Sequence, residues 1–400
     1  MFDLFTGSPL SFNNIGWSTL DMYHLLSKEL FLNVGLKYEN SNRHWDRVEH
    51  CYIQGCDFPT EKFCKENQHL DQDIILSFGS PCPGSDEYLL HYAPGWDSNR
   101  NKMPVLLVPG AGLNATSFAD LYGMGYKGIL QQLVELDYRV FAITFSHPHG
   151  DNYIQAEQLA HAIERIKEVT GSPKADIVAH SKGGIASRLF LSGMGKTPYK
   201  GQVRRFIMLG VPNLGTDFSF RQPLINYLIY ISGSNGVVSW DKIMLLGNMV
   251  DISERSIYGD GCFPGQSQLL YRWDDVYELD MLQQDWWTTY YGGQGFISNS
   301  RGIDVAIQEG GSLIEKLEKK GLEPEIEFAV LAGDNHYFNA LPGEATGVSD
   351  GLIFAESALN TAGMAKRGSI LINKEVFHVN HMEFLYNSRV GRWIDHQLRD

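Results

Sequence analysis

The stretch ADIVAHSKGGIASRLF, Ala175 to Phe190, sets a serine between a short apolar run and a helix-compatible segment. A serine hydroxyl is a weak nucleophile at its free pKa and needs a base beside it. A sharp strand-to-helix turn lifts the oxygen clear of a sheet. The strain of that turn admits only small residues two before and two after the serine. Here these are Ala179 and Gly183, so the pattern is A-x-S-x-G rather than G-x-S-x-G. A helix that starts at the serine aims backbone N–H groups at a reacting carbonyl. Ser181 is therefore the candidate nucleophile. The competing reading is a plain strand–turn–helix with a surface serine.

Such a serine needs an orienting acid and a histidine later in the chain, in that order. With thirteen histidines, the residue type alone selects none of them. His381 is the best placed, in EVFHVNHMEFLYNSRVGRWI, after the strand-like GSILIN and before a terminal amphipathic helix. His378 is its near competitor. Two acids precede it: Asp334 in LAGDNHYF, directly after a strand, and Asp350 in SDGLIFAESAL. His336 fits the order only if Asp334 is the acid.

These residues need a scaffold, and from residue 104 the pattern supplies one. VLLVPG (Val105–Gly110) and RVFAITF (Arg139–Phe145) read as buried strands, as do Asp176–Ala179, VRRFIMLGVP and Ile326–Ala332. Between them, SFADLYGMGYKGILQQLVEL can form a helix weakened by its glycines. NYIQAEQLAHAIERIKEVTG carries Ala156, Leu159, Ala160, Ile163 and Ile166 at helical spacing and closes on Gly171. A further helix is expected over Val305–Lys320. Strand and helix alternating at short spacing predict an α/β fold, a mostly parallel sheet with helices on both faces. Residues 213 to about 300 break the rhythm. Their aromatics (Phe218, Phe220, Tyr227, Tyr230, Trp240, Trp273, Trp286, Trp287, Tyr290, Tyr291, Phe296) fit either ordinary core or a cap inserted over the serine turn. The cap is preferred, because the insertion follows a strand of the sheet. Residues 1–100 are irregular apart from a strand-like EYLLHY and are expected to form an extension packed on a domain of residues 101–400.

Composition narrows the function. The chain has 400 residues, 43% hydrophobic and 12% aromatic, enough for a sizeable core. A net charge of −14 argues against a nucleic-acid partner and against capture by anionic membrane. No apolar run reaches the roughly 18 residues of a membrane span. The start, MFDLFTGSPLSFNN, has neither a basic n-region nor a continuous apolar h-region, so no signal peptide is expected there and a cytoplasmic location is the default. A secreted protein remains the alternative if a signal has been removed. Cys51, Cys56, Cys64 and Cys82 form C-x4-C-x7-C-x17-C, without the C-x2-C knuckles of most zinc sites, and Cys262 stands apart. A small disulfide cluster and free buried thiols are both compatible with that spacing. SHPHGD offers His147, His149 and Asp151 as an H-x-H-x-D cluster, which reads as loop rather than metal site.

Taken together, the motifs resemble those of bacterial triacylglycerol lipases and carboxylesterases of the α/β-hydrolase superfamily. AHSKGG resembles the AHSMGG box of small Bacillus lipases, and HMEFLYNSRV the segment that carries the histidine there. SDGLIFAESAL resembles the D-G-[LIV]-V…S-A stretch that carries the acid in larger lipases of the Pseudomonas, Burkholderia and Geobacillus types. VPGAGLNATSF is similar to the corresponding stretch of extracellular polyhydroxybutyrate depolymerases with an AHSMG box. The resemblance covers about 104–215 and 326–395, leaving the first hundred residues and the insertion unmatched.

The resemblance implies an α/β-hydrolase fold and a serine carboxylic-ester hydrolase acting on hydrophobic acyl esters through an acyl-enzyme. Ser181 would be the nucleophile, His381 the base, and Asp350 the orienting acid in preference to Asp334. The oxyanion donors would be the N–H of Lys182 and, where the lipases carry His-Gly-x, the N–H of Ala111 in Pro109-Gly110-Ala111. The Lys182 ammonium is expected to point to solvent. Glu383 matches an acidic residue that helps bind calcium in some larger lipases. With Ser388 where a further acidic ligand is expected, no metal and no cofactor is predicted. Acyl transfer, polyester depolymerisation and a non-catalytic lipid-binding role are the alternatives on the same fold. The substrate is a small-molecule, lipid or polyester ester in each catalytic case.

Overall fold

The structure is a computed structural model, which describes residues 41–55, 57–121, 125–222, 237–279, 286–338 and 341–399. Its centre is one sheet of eight strands: β1 (Arg47–Tyr52), β2 (Glu87–Tyr92), β3 (Asn101–Val108), β4 (Tyr138–Phe145), β5 (Ala175–His180), β6 (Val203–Leu209), β7 (Glu327–Gly333) and β8 (Ile370–Phe377). They lie in the order β1-β2-β4-β3-β5-β6-β7-β8. β1–β2 and β2–β4 pair antiparallel and every other pair is parallel. This order and polarity make the chain an α/β-hydrolase fold.

Period-two alternation along the strands builds two cores at once. On β3, Val105 and Leu107 join one cluster while Leu106 and Val108 join the other. The first cluster takes in Ile129, Leu130 and Leu133 of helix α2 (Ile129–Glu135), together with Trp393 and Ile394 of α7 (Ser388–Leu398). The second takes in Leu159 and Ile163 of α3 (Asn152–Thr170), Ile185 and Leu189 of α4 (Lys182–Leu191), and Leu313 and Leu317 of α6 (Leu313–Lys320). Helices therefore cover both faces, as parallel strands buried on both sides require. α1 (Gln72–Phe78) packs near β1 and β2, and α5 (Ile303–Glu309) precedes α6.

Three expectations need adjustment. Residues 47–92 supply β1 and β2, so a boundary near residue 100 separates strands that share one ladder. β1 is easy to overlook, because an edge strand shows only partial burial along RVEHCY. No single helix spans residues 117–136: Asn114 caps a short turn at Ala115–Phe118, and the helix begins only at Ile129. A Cβ on Gly128 would lie 1.9 Å from the Phe118 carbonyl, which shows how tightly the chain doubles back there. The helix expected over Val305–Lys320 is two, α5 and α6. They are separated at Gly310–Ser312, where Gly311 and Ser312 both have positive φ.

Between β6 and β7, the described part of the insertion carries a four-stranded antiparallel sheet. Its strands are Lys242–Leu245, Asn248–Asp251, Gly293–Gln294 and Ser298–Ser300. Trp240 and Ile243 fill one small core of this region, and Phe220, Tyr258 and Tyr290 another. Tyr227 and Tyr230 lie outside the described residues, as does the amino-terminal stretch read for a signal. Among the described residues, no helix is long and apolar enough to cross a membrane.

Candidate active site

The strand order reverses around β3, whose neighbours are β4 on one side and β5 on the other. In open parallel sheets the crevice beyond the carboxyl ends of strands at such a reversal is where ligands bind. β5 ends at this crevice and hands the chain to α4 through Ser181. That serine has φ 52° and ψ −131°, a conformation a non-glycine residue adopts only under constraint. The small neighbours follow from packing. A Cβ on Gly183 would stand 2.3 Å from the Pro109 carbonyl oxygen, and one on Gly184 2.2 Å from Val211. Helix α4 thus lies directly against the loop after β3 and the chain after β6.

Ser181 Oγ is 2.9 Å from His381 Nε2, and His381 Nδ1 is 2.7 Å from Asp350 Oδ2. Ser181 is 7% exposed, and His381 and Asp350 are each 1% exposed. The other Asp350 oxygen accepts the N–H groups of Leu352 (3.0 Å) and Ile353 (2.8 Å), and the Asp350 carbonyl accepts the His381 N–H at 2.8 Å. A carboxylate only accepts, so this pairing puts the imidazole proton on Nδ1. The Nε2 lone pair is then left to the serine O–H. The sheet supplies the room. A Cβ on Gly333, at the end of β7, would fall 2.8 Å from the Asp350 Cβ, and one on Gly210 3.0 Å from Asp350 Oδ2.

The rival pair is elsewhere. Asp334 and His378 bond to each other at 2.9 Å, with side chains 39% and 77% exposed. His336 packs its ring at a tilt against Tyr337, 4.2 Å between centroids. Glu383 accepts the Asn380 N–H at 2.7 Å while the Asn380 side chain accepts the Glu383 N–H, a reciprocal cap that fixes the turn carrying His381. His147 and His149 are buried, and burial pushes both below the usual imidazole range. His147 donates to the Lys62 carbonyl, His149 accepts from Gln266, and Asp151 caps α3. Each of the three is engaged in loop structure, and among the described residues no group of three or more histidine, cysteine, aspartate or glutamate side chains is arranged to hold a metal ion.

The N–H groups of Ala111 and Lys182 make no hydrogen bond among the described residues. Lys182 opens α4, where the first N–H groups of a helix have no partner within it. The loop bearing Ala111 presses on the serine turn: a Cβ on Gly110 would stand 2.9 Å from both Ser181 Cβ and His180 Nδ1. The Lys182 side chain does not reach solvent. It is 1% exposed, and its Nζ donates to Gln155 Oε1. Burial, opposed by the charges of Glu61 and Asp151, pushes it down to about 7. Lysine's long stem carries Nζ from the start of α4 to Gln155, with Glu61 and Asp151 close by.

One site residue carries no sequence expectation. His180 is buried, and its Nε2–H donates to the His381 carbonyl at 2.9 Å. Burial and the neighbouring His381 hold it well below the usual imidazole range, so it stays neutral with the proton on Nε2. Its place directly before the serine, after the apolar run Ile177–Ala179, is the signal that marks it.

The profile of a domain of unknown function (DUF7379) matches residues 91–232, a span that includes Ser181. Among solved structures, the chain is similar to the mature lipase BlEst2 of Bacillus licheniformis. The identity is 15%, the match covers 76% of this chain and 94% of that one, and the TM-score is 0.44. It is also similar to naproxen esterase from Bacillus subtilis (13% identity, 90% and 95% covered, TM-score 0.40). A putative aryl esterase from Burkholderia cenocepacia gives 13% identity, 78% and 94% coverage and a TM-score of 0.40.

Proposed function

We propose that the protein is a serine carboxylic-ester hydrolase. The observation that carries this is the continuous line Ser181 Oγ–His381 Nε2, His381 Nδ1–Asp350 Oδ2, at 2.9 and 2.7 Å, on a serine held in a strained strand-to-helix turn.

Ser181 Oγ attacks the ester carbonyl carbon as His381 Nε2 takes its proton. Asp350 stabilises the imidazolium without itself being protonated. The oxyanion is met by the N–H groups of Ala111 and Lys182, and losing one such donor costs on the order of 10²–10³ in kcat. The tetrahedral species collapses, His381 returns the proton to the departing alkoxide, and the acyl group stays on Ser181. A water deprotonated by His381 then releases the acid and regenerates the serine.

The insertion supports an apolar ester as substrate. It meets the crevice-side loops through Gly265, which packs on Gly150 and Lys182, and through Trp273 and Tyr277, which pack on Phe354 near Asp350. The aromatic side chains brought beside the Asp350 loop suit a hydrophobic acyl chain. The test is a fluorophosphonate probe followed by peptide mapping, with a p-nitrophenyl ester series of increasing chain length. Covalent labelling at Ser181 and turnover of at least one ester are expected. An unlabelled Ser181 in folded protein refutes the proposal and favours a non-catalytic lipid binder.

A further inference from the structure

We propose that Cys64 and Cys262 are the two ends of a disulfide that ties the connection between β1 and β2 to the inserted region. Sequence spacing groups Cys64 with Cys51, Cys56 and Cys82, and leaves Cys262 alone. The fold regroups them. Cys64 and Cys262, 198 positions apart, are buried side by side in one small cluster with Phe263, against which Val237 packs.

Asn67 holds the two segments in register. Its Oδ1 accepts the Cys64 N–H at 2.9 Å, its own N–H donates to the Cys64 carbonyl at 3.3 Å, and its Nδ2 donates to the Cys262 carbonyl. The Cys262 N–H is bound in turn to the Glu254 carbonyl at 2.8 Å. Both backbones are thus fixed on either side of the sulfur pair. Lying in the same cluster, the two thiols perturb one another: Cys64 lowers the Cys262 thiol and Cys262 raises that of Cys64. By contrast, Cys51 sits in β1, where burial pushes its thiol up to about 11, and Cys82 is only half-buried.

The oxidant is a disulfide, of the glutathione class. The Cys262 thiolate attacks one of its sulfurs, the oxidant's S–S bond breaks, and one thiolate leaves. Cys64, deprotonated, then attacks Cys262 Sγ and expels the second thiolate. The chain loses two electrons and two protons, and the oxidant becomes two thiols. Because both sulfurs are buried in the folded chain, the bond forms while the insertion is docking.

The full chain, reduced and unfolded, is refolded in a buffer of reduced and oxidised glutathione. Free thiols are then blocked with iodoacetamide, and the protein is digested without reductant. Mass spectrometry is expected to find the Cys64 and Cys262 peptides linked, with Cys51, Cys56 and Cys82 alkylated. Alkylation of both Cys64 and Cys262, or a link from either to another cysteine, overturns the proposal. The oxidised protein should lose about 5 °C of Tm on reduction, and the Cys64→Ala/Cys262→Ala variant should show no such shift. An equal shift in that variant assigns the effect to other thiols and equally overturns the tether.

Discussion

Ser181 occupies a backbone conformation that costs on the order of 1–3 kcal/mol, so the surrounding packing must favour it. Replacing it with alanine keeps that packing, so Ser181→Ala is expected to fold normally while p-nitrophenyl ester turnover disappears. Residual activity above a few per cent of wild type would remove Ser181 from the nucleophile role. The two acids separate by burial. Asp350 is 1% exposed and directly bonded to His381, whereas Asp334 serves a solvent-facing pair with His378. Asp350→Asn should lower kcat by roughly 10⁴, because the amide leaves the imidazole in the wrong tautomer. Asp334→Asn should change kcat less than about threefold, since surface pairs contribute little. Kinetics of the two variants side by side decide between the acids, and a reversed order would exchange their roles.

Helix α4 owes its position to two glycines rather than to capping. Gly183 is where the helix meets the loop that bears Ala111, and a methyl group there would strike the Pro109 carbonyl. Gly183→Ala should therefore push the two proposed oxyanion donors apart. The expected result is a loss of about 10²-fold or more in kcat, with a smaller change in KM, measured on a soluble short-chain ester. The insertion is locked by buried polar contacts. Arg221, paired with Asp217 at 2.8 Å, also lies 3.8 Å from Glu344 of the chain after β7, Gln222 donates to the same carboxylate at 3.0 Å, and Trp273 and Tyr277 pack on Phe354, all of them buried or half-buried. Swinging this region open would expose an ion pair and an aromatic core together. Hydrolysis of tributyrin is accordingly expected to rise smoothly through its solubility limit. A sharp increase at that limit would show a moving lid instead of a fixed cap.

Several histidines make the whole molecule acid-sensitive. Burial lowers His69 to about 4 and His91 to about 3, and holds His180 well below its ordinary value. In the unfolded chain each titrates near 6.5. Between the depressed folded values and 6.5 the unfolded state binds more protons, so stability rises with pH and is lost as pH falls. Each fully buried histidine should withdraw about 2 kcal/mol by pH 5. Urea unfolding midpoints should fall steeply from pH 7 to pH 5, and a flat profile over that interval would contradict the burial of neutral imidazoles.

Much of this architecture is legible from local pattern, because burial on both sheet faces writes near-continuous apolar strands and a strained turn writes small residues around Ser181. The breaks at Gly310–Ser312 are equally local, readable in EGGS. β1 escapes such reading because an edge strand buries little of itself. The remaining decisions belong to contacts between distant segments. The residues after Asp350 favour it over Asp334 only by resemblance; the contact with His381 is made at the carboxyl ends of β6 and β7, opened by Gly210 and Gly333. The direction of the Lys182 side chain is likewise set by Glu61, from the connection before β2, and by Asp151 and Gln155 at the start of α3. Cys64 meets Cys262 only because the connection before β2 and the insertion after β6 pack together. Spacing along a chain determines periodicity and turn chemistry, whereas the partners of a buried polar group are chosen by whichever segments the fold closes over it.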